Sequence, residues 1–247
     1  MIGAIARVTA RQLLGRRRTA MLLLGAALPV VVALVFRLAG GADDDATDGF
    51  VDAVLIGLVV TLLMPLTALI LGTTAFGAEI DDGTIVYLLA KPIPRRTVVL
   101  VKWLVAAVAA AAIASLATLV SGVIGLAGAP DGVRVAAGYA VAVAAGCVVY
   151  VAAFVALSLF TSRALIIGLV YVLVWEGALA GSFPGIRFLS VRQYTLAIAD
   201  SLGGPGAGTV ADVLTPGVAV LLCLMVLVVA LWAAVRRLEG FQIPQSE

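Results

Sequence analysis

The chain has 247 residues, of which 63% are hydrophobic and 12% charged, with a net charge of +2 and no histidine. A soluble domain carries about 25% charged residues, so this composition excludes an ordinary soluble globular protein, and the lack of histidine removes the commonest general base and metal ligand. Runs near or above about 18 apolar residues mark a polytopic membrane protein, whose spans are expected to be helical because a helix satisfies its own backbone in lipid.

In chain order, MIGAIARVTARQLLGRRR (residues 1–18) comes first. At about 100° per residue, Ile2, Ile5, Ala6, Thr9 and Leu13 share a face, and Arg7, Arg11 and Arg18 lie opposite. That is the pattern of an amphipathic helix on a membrane surface with its basic residues near anionic headgroups. A disordered basic leader that only sets orientation is the blander reading. No cleavage-site pattern follows, so a cleaved signal peptide is not expected.

Six spans are predicted, at about Thr19–Leu38, Val51–Phe76, Val98–Leu126, Val135–Phe160, Ala164–Ala180 and Val213–Val235. Glu176 interrupts the fifth, and a re-entrant fifth segment would move the C-terminus. Ala106, Ala110 and Ala114 favour close packing of the third span, and Gly177-x-x-x-Gly181 permits it in the fifth. The single domain 19–247 then has a charged link at 77–97 and a long outer link at 181–212. Short helices capping the membrane are expected in the outer link, with Phe188, Val191, Leu196 and Ile198 on or in the outer leaflet.

Twelve of the sixteen Lys and Arg fall on the side of the N-terminus, the 77–97 link with Lys102 just beyond it, Arg163 and the C-terminus. The other side holds Arg37, Arg134, Arg187 and Arg192, with the acids Asp43, Asp44, Asp45, Asp48 and Asp52. By the positive-inside rule both termini are cytoplasmic. Lys102 is expected to snorkel to the cytoplasmic edge of the third span.

Catalytic patterns are missing. The sequence has no GxxxxGK[ST], GxSxG or HExxH, and Cys147 and Cys223 sit inside apolar runs without a CxxC, so neither a disulfide nor a metal site is assigned. Only Glu176 is an acid clearly within a span, which disfavours a two-carboxylate intramembrane protease.

The link AEIDDGTIVYLLAKPIPRR (78–96) is the most charged stretch between spans. Acids at its start and Lys91 near its end suit a short helix, and Pro92 and Pro94 make a stiff corner. Ile85 to Leu89 are large on every face, which suggests contact with lipid on one side and protein on the other. In the second span, Pro65 removes a helix hydrogen bond and frees the carbonyl of Thr61. Thr67 and Thr74 share a face, though threonines often bond their own helix. Glu176 lies roughly 20 Å along a helix from Arg163, in the outer part of the membrane. It is read either as an interfacial acid paired with Arg187 or Arg192, with Trp175 as an interfacial anchor, or as a gate or substrate group.

The pattern E-x-D-D-G-T-x-x-x-L-L-A-x-P-x-x-R, followed by Lys102, resembles the first cytoplasmic loop of ABC-2-type transporter permeases. YVLVWEGALAG and IRFLSVRQY are similar to small bacterial members, so the resemblance spans nearly the whole chain. It implies an all-α membrane protein with six transmembrane helices, an N-terminal amphipathic connecting helix and an ABC-2 permease fold of the type V exporter kind. It further implies a multi-pass protein of a bacterial or archaeal cytoplasmic membrane, exporting a substrate and assembled as a homodimer or heterodimer of permeases with two ATPase subunits. ATP and Mg would be bound by that ATPase, this chain needs no cofactor or metal of its own, and no nucleic-acid partner is expected. The ATPase would dock on Glu79, Asp81, Asp82, Gly83, Thr84, Leu88, Leu89, Pro92 and Arg95. A substrate path along spans two and five would take in Thr61, Pro65, Thr67, Thr74, Tyr171, Trp175 and Glu176. Larger members carry a sizeable outer domain for which these links are too short. The alternative function is a channel or a membrane scaffold without ATP coupling. Apolar walls with few charges favour an amphipathic substrate.

Overall fold

The computed structural model describes residues 2–13, 15–40, 44–81, 94–179, 188–203 and 214–240. Among these residues every regular element is a helix: α1 (Ile2–Leu13), α2 (Arg16–Leu38), α3 (Asp44–Phe50), the π-helical π1 (Val51–Leu63), α4 (Met64–Asp81), α5 (Arg95–Gly125), α6 (Gly132–Phe160), α7 (Ala164–Val170), π2 (Tyr171–Leu179), α8 (Val191–Ser201) and α9 (Pro216–Glu239).

Among the described residues, five helices are long and apolar enough to cross a membrane: Thr19–Leu38, Ala46–Gly77, Arg95–Gly125, Gly132–Phe160 and Pro216–Glu239. They coincide with five of the six predicted spans. The other, expected over 164–180, is the shorter apolar helix Ala164–Gly177. Its apolar run is cut short by Thr161–Arg163 before it and by a buried Glu176 near its end.

The leader departs from its predicted length. α1 stops at Leu13, and Gly15 precedes α2, so Arg16 to Arg18 begin the first span instead of ending the surface helix. Its predicted apolar face does turn inward: Thr9 and Leu13 are buried, Arg7 is exposed, and α1 packs on α5 and α4.

The bundle is centred on α6. Two thirds of its apolar window (67%) is buried, against 17% for α2 and 22% for α9. In lipid there is no hydrophobic drive between apolar helices, so close packing must hold them, and small residues allow it. α6 is rich in Ala, Gly and Val and meets α4, α5, α8 and α9. At Gly146 an added Cβ would lie 2.5 Å from both Met64 Sδ and Thr195 Oγ1, so this glycine lets α4 and α8 close on α6. Ala106, Ala110 and Ala114 are fully buried in α5, as their spacing predicts. Large side chains such as Leu24, Leu221 and Trp232 project from α2 and α9 onto the outside of the bundle.

Pro65 stands at the junction of π1 and α4. A proline lacks the donor for the preceding turn and clashes with its carbonyl. The chain resolves this with a wider π stretch ending just before it, in which the Thr61 hydroxyl donates to the carbonyl of Ile56 five residues back, at 2.8 Å.

Candidate functional site

Polar side chains gather at the two ends of the bundle. At one end, the C-termini of α4, α6 and α9 meet the start of α5. A helix C-terminus leaves unpaired carbonyls and carries partial negative charge, so cations are favoured there. Lys102 of α5 donates to the Ala75 carbonyl of α4 at 2.6 Å, forms an ion pair with Glu79 at 2.6 Å, and lies 4.6 Å from the Phe76 ring centre. The Arg95 guanidinium donates to the carbonyls of Leu238 and Glu239 in α9, at 2.8 and 2.7 Å. Arg237 of α9 donates to Leu159 of α6 at 3.3 Å and covers the Phe160 ring. Three cations thus tie four long helices together.

Lys102 corrects an expectation. Its side chain is 1% exposed, so it does not snorkel to the membrane edge. The Glu79 carboxylate and the Ala75 carbonyl give its ammonium partners inside the bundle, and the stem never has to reach water. Of the predicted docking residues, Glu79 is turned toward Lys102 and Arg95 toward the end of α9. Asp81 ends α4, and nothing is described of its side chain. Asp82, Gly83, Thr84, Leu88, Leu89 and Pro92 lie outside the described residues.

At the other end is Glu176. It is fully buried in π2. The Tyr171 hydroxyl donates to its Oε1 at 3.0 Å, the Val191 backbone N–H donates to the same oxygen at 3.1 Å, and the Ser190 hydroxyl donates to Oε2. Ser190 is the N-cap of α8, its side chain accepting from the Gln193 N–H. The carboxylate therefore sits on the positive end of α8, where an anion is stabilised by dipole and free amides together. Arg187 lies outside the described residues. The Arg192 guanidinium donates to the Thr61 hydroxyl at 2.8 Å, joining α8 to π1. Tyr150 of α6, Trp175 and Gln193 each bring a buried polar atom that, among the described residues, makes no hydrogen bond of full geometry (the hydroxyl, Nε1 and Oε1).

Of the predicted path residues, the structure gathers Tyr171, Trp175 and Glu176 here and brings Thr61 alongside through Arg192. Thr67 is buried lower in α4, and Thr74 donates to the Ile70 carbonyl of its own helix at 2.6 Å. Val191 and Leu196, expected at the outer leaflet, are buried in the bundle, whereas Phe188 is exposed. Sequence reasoning missed Ser190 and Gln193. Their signal was present in Ser190-Val-Arg-Gln193, which has the S-x-x-Q spacing of a capping box.

Helices long and apolar enough to cross a bilayer, with a polar cluster at each end of their bundle, define a multi-pass membrane protein. The family model described as "ABC-2 family transporter protein" matches residues 14–179, and the chain belongs to that family. It is accordingly a membrane-spanning permease of ABC transporter type, a transport subunit and not itself an enzyme. No curated protein matches the chain.

Proposed function

We propose that this chain is the permease of an exporter driven by a separate ATPase that docks on the loop 78–96, with both termini in the cytoplasm of a bacterial or archaeal cell. The observation that carries the reading is the family match over 14–179, which includes that loop. The Glu79–Lys102 pair and the Lys102–Ala75 bond support it mechanically, because they join the two helices that flank the loop. A push on 82–93 would reach α4 and α5 as a unit, and through Arg95 the last helix.

In this reading the short helix Ala164–Gly177 is the fifth of the six spans of a type V permease, and two such chains, identical or related, pair with two ATPases. ATP and Mg belong to the ATPase. Asp81, Asp82, Gly83, Thr84, Leu88, Leu89 and Pro92 form the docking face, and Glu79 and Arg95 act at its base. The substrate passes along spans two and five, near Thr61, Pro65, Thr67, Thr74, Tyr171, Trp175 and Glu176.

The test is co-expression with the ATPase encoded beside this reading frame, affinity capture through this chain, and an ATPase assay in vesicles. Co-purification, with stimulated hydrolysis lost on charge reversal at Asp81 and Asp82, is the expected result. An isolated permease that captures no Walker-type ATPase would leave a channel or scaffold as the better account.

A further inference from the structure

The start of α8 is capped twice over, but only one cap is in use. Ser190-Val-Arg-Gln193 has the spacing at which a glutamine at the third helical position reaches back to the amide of the N-cap residue. Half of that arrangement is formed: the Ser190 side chain accepts from the Gln193 N–H at 3.3 Å. The other half is not: among the described residues Gln193 Oε1 has no hydrogen-bond partner, in a residue only 3% exposed. Glu176 of π2 lies at the same helix start, taking the next amide, the Val191 N–H, and the Ser190 hydroxyl.

A second buried group stands ready on the other side. The Tyr150 hydroxyl lies against Glu176, close enough for a loose hydrogen bond to it, but makes none of full geometry to a described residue. A buried donor or acceptor left unpaired costs about 1–3 kcal/mol, so the Gln193 oxygen and a loosely held hydroxyl beside one carboxylate favour an arrangement in which both are used.

We propose that Glu176 and Gln193 are alternative caps of α8. In the arrangement seen, Glu176 latches π2 to the helix start. In the other, the carboxylate moves off α8 and fully onto the Tyr150 hydroxyl, and the Gln193 amide oxygen turns back onto the helix start, where the Val191 N–H is left vacant. Hydrogen bonds are exchanged instead of lost, so the π2–α8 contact can part without leaving a bare helix end. That this parting opens the outer end of the transport path rests on the permease reading above; the exchange of caps does not.

Hydrogen–deuterium exchange of the purified full-length protein, followed over the peptide 188–196, tests the exchange of caps. Glu176→Leu removes the latching carboxylate and leaves no acceptor in its place, and Gln193→Leu removes the reserve cap. Each alone is expected to leave exchange of the first-turn amides of α8 within about 3-fold of the parent, whereas the double variant loses both caps and exchanges roughly 5-fold faster or more, as the loss of an N-cap does. Ser190→Ala, which removes the hydroxyl both arrangements use, should match the double variant. A full increase from Glu176→Leu alone, an additive double variant, or a silent Ser190→Ala would each overturn the proposal. Failure to capture an ATPase would sink the permease reading and leave this result standing.

Discussion

The two ends of the bundle solve one electrostatic problem with opposite signs. At the end of the 78–96 loop, Arg95 and Arg237 reach the C-terminal carbonyls of α9 and α6, and Lys102 reaches the Ala75 carbonyl six residues before the end of α4. At the other end the Glu176 carboxylate sits on the N-terminus of α8. Both placements obey the helix dipole. They differ in what they join. The cations tie long helices that run through the bundle, and Lys102 has an ion-pair partner besides its carbonyl. The anion joins two short elements, π2 and α8, and polar atoms of Tyr150, Trp175 and Gln193 make no hydrogen bond of full geometry among the described residues. The first end is built to move as one piece. The second has spare partners and can rearrange.

The largest expected effect lies in the rigid end. Lys102→Met leaves Glu79 as a buried charge without its ammonium, and removing one member of a buried pair costs about 3–5 kcal/mol. The double variant Lys102→Met with Glu79→Gln should recover most of that loss, because an apolar replacement of both charges is often neutral. Thermal unfolding in detergent checks it. A Lys102→Met protein as stable as the parent would mean that the pair holds nothing together. It also follows that charge reversal at Glu79 sets a lysine against Lys102 and disturbs folding, so Asp81 and Asp82 are the cleaner probes of docking.

The next effect sharpens the contrast from the opposite end. Gly146→Val would drive methyl groups into Met64 and Thr195, where even a Cβ sits 2.5 Å from both. Overpacking of this kind costs about 1–3 kcal/mol. Because Thr195 belongs to α8, the strain should appear first as faster hydrogen exchange in 191–201 and only later as lower global stability. Equal loosening of α5 would show that the two ends are not separable.

The spans were legible from the sequence because long apolar runs leave lipid as their only solvent, and the five long helices fall where hydropathy put them. The role of Glu176 was only half legible. Its cost in a span marked it as a group with a purpose, but its partners come from a hydroxyl five residues before it and a helix start fourteen residues after it, across the outer link. Charge counting drew attention to Arg187 and Arg192, since it ranks ionic partners ahead of hydroxyls and amides. The same habit misjudged Lys102, whose long stem looked free to snorkel until α4 supplied an acid and a carbonyl within reach. Pro65 pointed to a local defect correctly, and the form of that defect, a run of π-helix instead of a sharp kink, depends on packing that no single residue encodes.

Smaller effects separate the tie from the docking contact at Arg95. Arg95→Gln removes the charge from the C-terminus of α9 while keeping a donor, and the expected loss is about 1 kcal/mol. If Arg95 serves only α9, stimulation of the partner ATPase should be unchanged in Arg95→Gln once the stability loss is allowed for. If it also meets the ATPase, stimulation falls further than stability does. Arg95→Lys distinguishes the two routes again, because a lysine keeps the charge but cannot span two carbonyls with a planar fork.

Thr74→Val has the smallest expected effect. The Thr74 hydroxyl is spent on the Ile70 carbonyl one turn back, at 2.6 Å. That carbonyl has a second claim on it from the helix itself, so losing the hydroxyl strands no buried donor, and valine fills nearly the same space. The stability change should stay within about 0.5 kcal/mol. Transport should also be unchanged if the hydroxyl never leaves its own helix. Thr61→Val makes the informative contrast, because its hydroxyl both donates to Ile56 and accepts from Arg192. Valine there leaves the Arg192 Nε–H without that acceptor and loosens α8 from π1. Both threonines lie on the same helical span, so a larger effect at Thr61 than at Thr74 would assign the adaptable behaviour to the Glu176 end and not to the span as a whole. Equal effects would erase the distinction between the ends.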